Sequence, residues 1–328
     1  MVENSGHKST QLLDALHNEQ GALNAAAELL RAGELVAFPT ETVYGLGARV
    51  NDPDMIRQIY AAKGRPQDNP LIVHVAHRSQ IDKLVEHIPG AATRLMDAFF
   101  PGPLTLVLPK SAAVPDIVTA GLPGVAVRMP DHEIARALIT AVGVPLVAPS
   151  ANSSGRPSPT KAAHVLHDLQ GRIAAVLDGG PCREGLESTV VSFMHPKPVL
   201  LRPGVVRAET LTDILGEQIL LADRLQSHRP ESPGMKYKHY APSIPVIVVG
   251  PSEWRDAISE NSYVLCGIDV ILPVPSHSLD APGYYHHLRE AERLGYQRVV
   301  VVCTPQVEQN PALMERIRKS SNSDHYSS

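Results

Sequence analysis

The chain has 328 residues, 43% hydrophobic and 20% charged, with a formal net charge of −4. That length predicts more than one domain, and the composition is that of an ordinary globular protein. No overall basic field marks it as a nucleic-acid binder, and no apolar run approaches the roughly 18 residues that would span a bilayer.

The opening "MVENSGHKST" has no apolar h-region, so no signal peptide is expected and the location is read as cytoplasmic. Residues 21–31 are rich in alanine and leucine and read as a helix. Glu34-Leu35-Val36-Ala37-Phe38 then reads as a short buried strand running into "PTETVYGLG". A proline, two threonines around a glutamate, an aromatic and two glycines exceed what a plain turn needs. They suit one wall of a small polar pocket. Asp52-Pro53 supplies an N-cap and a first-turn proline for a helix carrying Met55, Ile56, Ile59 and Tyr60, which ends at Lys63-Gly64-Arg65-Pro66. Strands are expected at 71–75, 104–108, 125–128, 145–148, 174–177, 189–193 and 199–201, with helices at 91–100, 132–142 and 161–169. An α/β domain with a many-stranded mixed sheet follows.

After Gly204 a short helix near Leu211 leads into a polar, proline-punctuated stretch that reads as a linker. Strand–helix alternation resumes at Val246 and continues to about Lys319, predicting a small parallel α/β domain before a polar tail. The expected division is 15–210, a linker 211–244, and 245–320. Cys182, Cys266 and Cys303 are far apart and form no CxxC, which predicts free thiols in a reducing compartment.

Hydroxyl, amide and cationic residues recur where strands end: Thr40 and Thr42, Lys63, Arg65 and Asn69, His74, Arg128, Ser150 and Asn152, Ser188 and Thr189, and Arg202. In open α/β sheets such positions converge on one crevice. Lined this way, it would take phosphate and carboxylate. Each group also has a plainer explanation. Lys63-Gly64-Arg65 is what a helix C-terminus wants on capping and dipole grounds. A histidine inside "LIVHVA" is commonly a satisfied core residue, Arg128 could be a surface arginine, and "APSANSSGRPSPT" could be an N-capped loop. The histidines at 164, 167, 286 and 287 read as solvated helix faces. No GxxxxGK[ST], strand-following GxGxxG, GxSxG or HExxH occurs, so P-loop, dinucleotide, serine-hydrolase and zincin sites are not expected.

In this order and spacing, "PTETVYGLG", "KGRPQDNPLIVHV", "PGPLTLVL", "GVAVRMP", "APSANSSGRPSPT", "ESTVV" and "LLRPG" resemble the YrdC-like family. "SPGMKYKHYAP" and the domain after it resemble its long two-domain members, the threonylcarbamoyl-AMP synthases. The resemblance implies a YrdC-like twisted mixed sheet with flanking helices, plus a smaller Rossmann-like α/β C-terminal domain. It implies a nucleotidyltransferase that joins L-threonine, bicarbonate and ATP, with Mg2+ on the triphosphate, releasing pyrophosphate. The product would pass to a tRNA threonylcarbamoyl transferase.

By the same resemblance, threonine falls to Thr42, His74, Arg128, Ala148 and Ser188. ATP falls to Arg65, Asn69, Gly124, Ser150, Asn152, Ser158, Arg202 and Tyr240. Lys63 and Arg65, paired cations beside Asn69, are read as electrostatic catalysts. The linker residues Lys236, Lys238, His239 and Tyr240 would close over the nucleotide. "CTPQVEQNPALMERIRKS" lacks the glycine-rich turn that the family has before its last helix. A nucleic-acid-binding module with weak RNA affinity, and a carbamoyl transferase for another acceptor, are the competing readings.

Overall fold

The computed structural model describes residues 9–222 and 240–321. Its first sheet holds β1 (Gln11–Asp14), β2 (Val36–Phe38), β3 (Gly45–Arg49), β4 (Ile72–His74), β5 (Leu104–Pro109), β6 (Gly124–Arg128), β7 (Leu146–Val147), β8 (Ala175–Asp178), β9 (Thr189–Ser192), β10 (Val199–Arg202) and β11 (Leu220–Leu221). They lie in the order β1-β8-β2-β3-β7-β4-β6-β5-β9-β10-β11, with parallel and antiparallel pairs mixed as expected. A second sheet orders β12 (Val246–Val249), β15 (Arg298–Val302), β13 (Ser262–Cys266) and β14 (His277–Ser278), all parallel.

Local sequence explains the helices that frame the site. Asp52 accepts from the Met55 amide at the start of Pro53–Lys63, and Gly64 ends that helix in the left-handed region at φ 61°. The chain can therefore turn sharply and bring Arg65 back beside Lys63. Near the C-terminus the turn that lacks glycines is built by Thr304 and Asn310, the latter capping Pro311–Ser320 through the Leu313 amide.

The strand Gly45–Arg49, β3, paired antiparallel with β2, was not among the strands expected. Its glycines answer to crowding: a Cβ on Gly47 would sit 3.0 Å from the Phe38 ring and 3.1 Å from the Val36 carbonyl. The edge strand β1 and the short β14 were also not foreseen. The first part of the expected linker belongs to the large domain. Helix Ala208–Leu215 is followed by β11, which pairs parallel with β10. Lys236, Lys238 and His239 lie outside the described residues.

The domains are packed together. Val43 and Leu186 from the first and Tyr240 from their junction join the apolar core of the second. Gly185, at φ 70°, lies where a Cβ would meet the Pro282 carbonyl at 2.4 Å, so the contact admits no side chain. The histidines read as solvated are partly in this seam. His164 and His286 stack across it with ring centroids 5.5 Å apart, and burial lowers both pKa values. Among the described residues no helix is long and apolar enough to cross a membrane.

Candidate active site

A cleft of about 760 Å3, counting its open mouth, lies between the ends of the central strands and the second domain. Eleven of the fourteen residues expected in the site line it: Thr42, Lys63, Arg65, His74, Arg128, Ala148, Ser150, Asn152, Ser188, Arg202 and Tyr240. Asn69, Gly124 and Ser158 are outside that lining. Ser158 is fully buried and donates to Glu187 at 2.5 Å. Asn69 precedes β4 and Gly124 opens β6, so both sit at the N-terminal ends of the parallel strands whose C-terminal ends carry His74 and Arg128.

One half of the cleft gathers around Arg128. The same parallel register sets His74 opposite Arg128 at the strands' C-terminal ends. Arg128 Nη1 donates to Thr42 Oγ1 at 2.8 Å and Nε to the Gly102 carbonyl at 3.3 Å, while Nη2 lies 2.7 Å from Glu41 Oε2. Arg128 and Glu41 are 4% and 1% exposed, so their charges face each other out of water. Thr40 fixes Thr42: its Oγ1 lies 2.9 Å from Thr42 Oγ1 and donates to the Val43 carbonyl at 2.6 Å. Tyr44 pins the segment from behind by donating to the Gly180 carbonyl at 2.7 Å and Asp178 at 3.2 Å. Glu41 and Tyr44 thus have structural assignments that the sequence did not offer.

His74 is held neutral. Burial, and then the Arg128 charge, push its pKa down to about 3. Its Nδ1 lies 3.2 Å from the Ile72 carbonyl, which can only accept, so Nδ1 carries the proton and Nε2 keeps a lone pair.

The other half gathers the basic side chains Lys63, Arg65 and Arg202, each of which donates to backbone carbonyls. Lys63 Nζ donates to the carbonyls of Ser150 and Asn152, the latter at 2.5 Å, and so stitches the end of its helix to the loop after β7. Burial, reinforced by Arg65, holds the Lys63 pKa well below the usual lysine range. Arg65 donates to the carbonyls of Pro70 at 3.1 Å and Asn69 at 3.4 Å, and burial brings its pKa down to about 10. It therefore stays charged at neutral pH. Arg202, at the end of β10, donates to the Ser188 carbonyl through Nε at 3.1 Å and Nη2 at 2.9 Å. Two polar atoms have no partner in this set: Asn152 Oδ1 and Arg65 Nε are buried without one. Buried groups left so are costly unless a ligand completes them.

The second domain closes the back of this half. Tyr240 has an uncommon left-handed backbone at φ 68°, stacks 5.4 Å from Tyr285, and lies under the Arg316 guanidinium at 5.5 Å. Glu187 accepts from Arg316 Nε at 2.9 Å and from the Tyr285 hydroxyl at 3.0 Å. Burial works to raise its pKa, but the Arg316 and Arg202 charges outweigh that and hold it at about 2. Glu187 and Arg156 line the cleft and were not singled out from the sequence. The signal for Glu187 was its place beside Ser188 in "ESTVV".

Residues 28–204 match the Sua5–YciO–YrdC family model, described as telomere recombination, and residues 206–322 match the C-terminal domain of threonylcarbamoyl-AMP synthase. The chain belongs to the Sua5/YrdC family of threonylcarbamoyl-AMP synthases. Among its relatives, the threonylcarbamoyl-AMP synthase of Bacillus subtilis is 54% identical over 246 residues, covering 74% of this chain and 70% of that protein. That of Pyrococcus abyssi is 52% identical over 238 residues, covering 72% and 70%. A solved structure of P. abyssi Sua5 complexed with L-threonine superposes with a TM-score of 0.85 at 40% identity, covering 95% of this chain and 97% of that one. The fold expected from the motifs is therefore the fold of this Sua5/YrdC member.

Proposed function

We propose that the cleft binds L-threonine around Arg128 and ATP around the carbonyl-backed cations, and joins them through a carbamate. The chain is an L-threonylcarbamoyladenylate synthase, a nucleotidyltransferase, as its family membership implies. The observation that carries the placement is that one cleft holds an ion-paired arginine with hydroxyls at one end and basic side chains held by backbone carbonyls at the other. L-threonine in the P. abyssi relative supports the amino-acid half.

In this reading Arg128 and Thr42 hold the threonine carboxylate and hydroxyl, Ser188 and the Ala148 backbone complete the contacts, and neutral His74 accepts through Nε2. Threonine's amine adds to carbon dioxide, and one oxygen of the resulting carbamate attacks the α-phosphorus of ATP as the bond to pyrophosphate breaks. Both reactants are anionic, so the site's task is to hold them in line and offset their repulsion. Arg65, Lys63 and Arg202 are suited to the phosphates, with Ser150 and Asn152 offering hydrogen bonds and Tyr240 covering them. Incoming phosphates favour the charged form of Lys63. The adenosine extends along β4 and β6 past Ile72 toward Asn69 and Gly124, and Ser158 acts through Glu187.

Mg2+ enters as part of the substrate MgATP. Among the described residues no group of three or more metal-ligating side chains exists, and the one carboxylate lining the cleft, Glu187, is occupied by Arg316 and Tyr285. The mixed anhydride formed is reactive, so a transferase that passes the carbamoyl group to tRNA is its natural consumer. Mass spectrometry of products from ATP, bicarbonate and each amino acid in turn tests the assignment. The expected result is threonylcarbamoyl-AMP from threonine alone, and no adduct with pyrophosphate release would overturn it.

A further inference from the structure

The second domain reaches the cleft through two buried arginines, neither of which lines it. Arg289, 7% exposed, grips Asp168 through both guanidinium nitrogens, at 3.0 and 2.8 Å, and donates to the Pro157 carbonyl at 2.5 Å. Asp168 in turn accepts from the Ser153 amide at 3.2 Å. One arginine therefore fixes both ends of the stretch that follows Asn152. Arg316, fully buried, pairs with Glu187 and donates to the Pro203 carbonyl at 2.9 Å. Those are the neighbours of Ser188 and Arg202.

We propose that the second domain is a positioning element for the nucleotide half of the cleft, acting through Arg289 on the loop carrying Ser150 and Asn152 and through Arg316 on the strand end carrying Arg202. The proposal rests on the reading of that half as the ATP site. Simple adhesion between domains is a poor explanation for the pattern. Burying two ion pairs carries a desolvation cost that apolar contacts avoid, so such pairs add little net adhesion. What they do provide is direction, and both point at loops that present cleft residues. Thr42, His74 and Arg128 make their hydrogen bonds and ion pair to residues of the first domain. Loosening Arg289 should therefore disturb ATP and spare threonine.

The test uses the full chain carrying Arg289→Met or Arg289→Lys. The readouts are KM for ATP in pyrophosphate release and Kd for L-threonine by calorimetry without nucleotide. A displacement of the loop predicts about a tenfold rise in KM for ATP in Arg289→Met, smaller in Arg289→Lys, with threonine Kd within about twofold of wild type. If Arg289→Met does not fold, Asp168→Asn with Arg289→Met removes both charges, and the same ATP-selective loss is expected. An unchanged KM for ATP in a folded variant overturns the proposal, as does a parallel rise in both constants. Arg202→Ala separates the two levels. If it raises KM for ATP while the Arg289 variants do not, the positioning role alone fails. If it leaves KM for ATP unchanged, the nucleotide assignment fails and the proposal with it.

Discussion

Glu187→Gln is the most informative single perturbation of stability, because it keeps size and hydrogen-bonding capacity while removing a buried charge. In the folded protein Glu187 is held at about 2 against an ordinary 4.5 by Arg316 and Arg202, despite the opposing effect of burial. That displacement corresponds to roughly 3 kcal/mol of folding stability at neutral pH. Removing one partner of a buried pair costs about 3–5 kcal/mol, and Glu315, which also accepts from Arg316, keeps this case at the lower end. The sign with pH is fixed by the depressed value. Stability from this carboxylate is fully present above its unfolded pKa and is lost as pH falls through the folded one. The gap between wild type and Glu187→Gln in urea unfolding should be about 3 kcal/mol at pH 7 and roughly half of that at pH 3. A gap below about 1 kcal/mol at pH 7, or one that does not shrink in acid, would refute the reasoning.

Three other outcomes follow from the geometry. With its pKa near 3, His74 stays neutral across the physiological range, so threonine affinity should show no His74-dependent inflection between about pH 5.5 and 7.5. An inflection near 6.5 that vanishes in His74→Gln would contradict this. Lys63→Met removes both a cation and the stitch to the Ser150 and Asn152 carbonyls, and should slow pyrophosphate release about a hundredfold or more. A folded variant with wild-type turnover would reduce Lys63 to a helix cap. Glu41→Gln leaves buried Arg128 without its anion, so the free protein should lose stability while threonine, bringing a carboxylate, restores part of it. The threonine-induced rise in Tm should therefore be larger in Glu41→Gln than in wild type, and an equal rise would sink the idea.

The parts legible in sequence are those fixed by local patterns. Strand ends with hydroxyls and cations could be recognised because parallel pairing brings such ends together, as His74 and Arg128 show. The strand at Gly45–Arg49 was not legible because glycines are poor strand formers, whereas here the packed Phe38 ring leaves room for little else. Asp168 and Arg289 lie 121 residues apart, on helices whose charges alone look solvated. Glu187 and Arg316 are 129 apart. Such pairs carry no local signature, because each needs its distant partner to become a buried group and not a surface one. The positioning role proposed for the second domain was hidden for that reason.

The two halves differ in how their cations are held, and this difference can sort the substrates. A carbonyl fixes an arginine without cancelling its charge, as the Pro70 carbonyl does for Arg65. Such cations are preorganised yet still project a positive potential, which a polyanionic triphosphate requires. Arg128 is held differently, by the Glu41 carboxylate, so its field is largely cancelled at a distance. Near contact it can still donate to a carboxylate. That suits zwitterionic threonine, which carries no net charge to be steered, and gives the triphosphate no reason to settle in the amino-acid end. Under the proposed assignment of ligands, the pairing of Glu41 with Arg128 would be as much a device against the wrong ligand as a support for the right one.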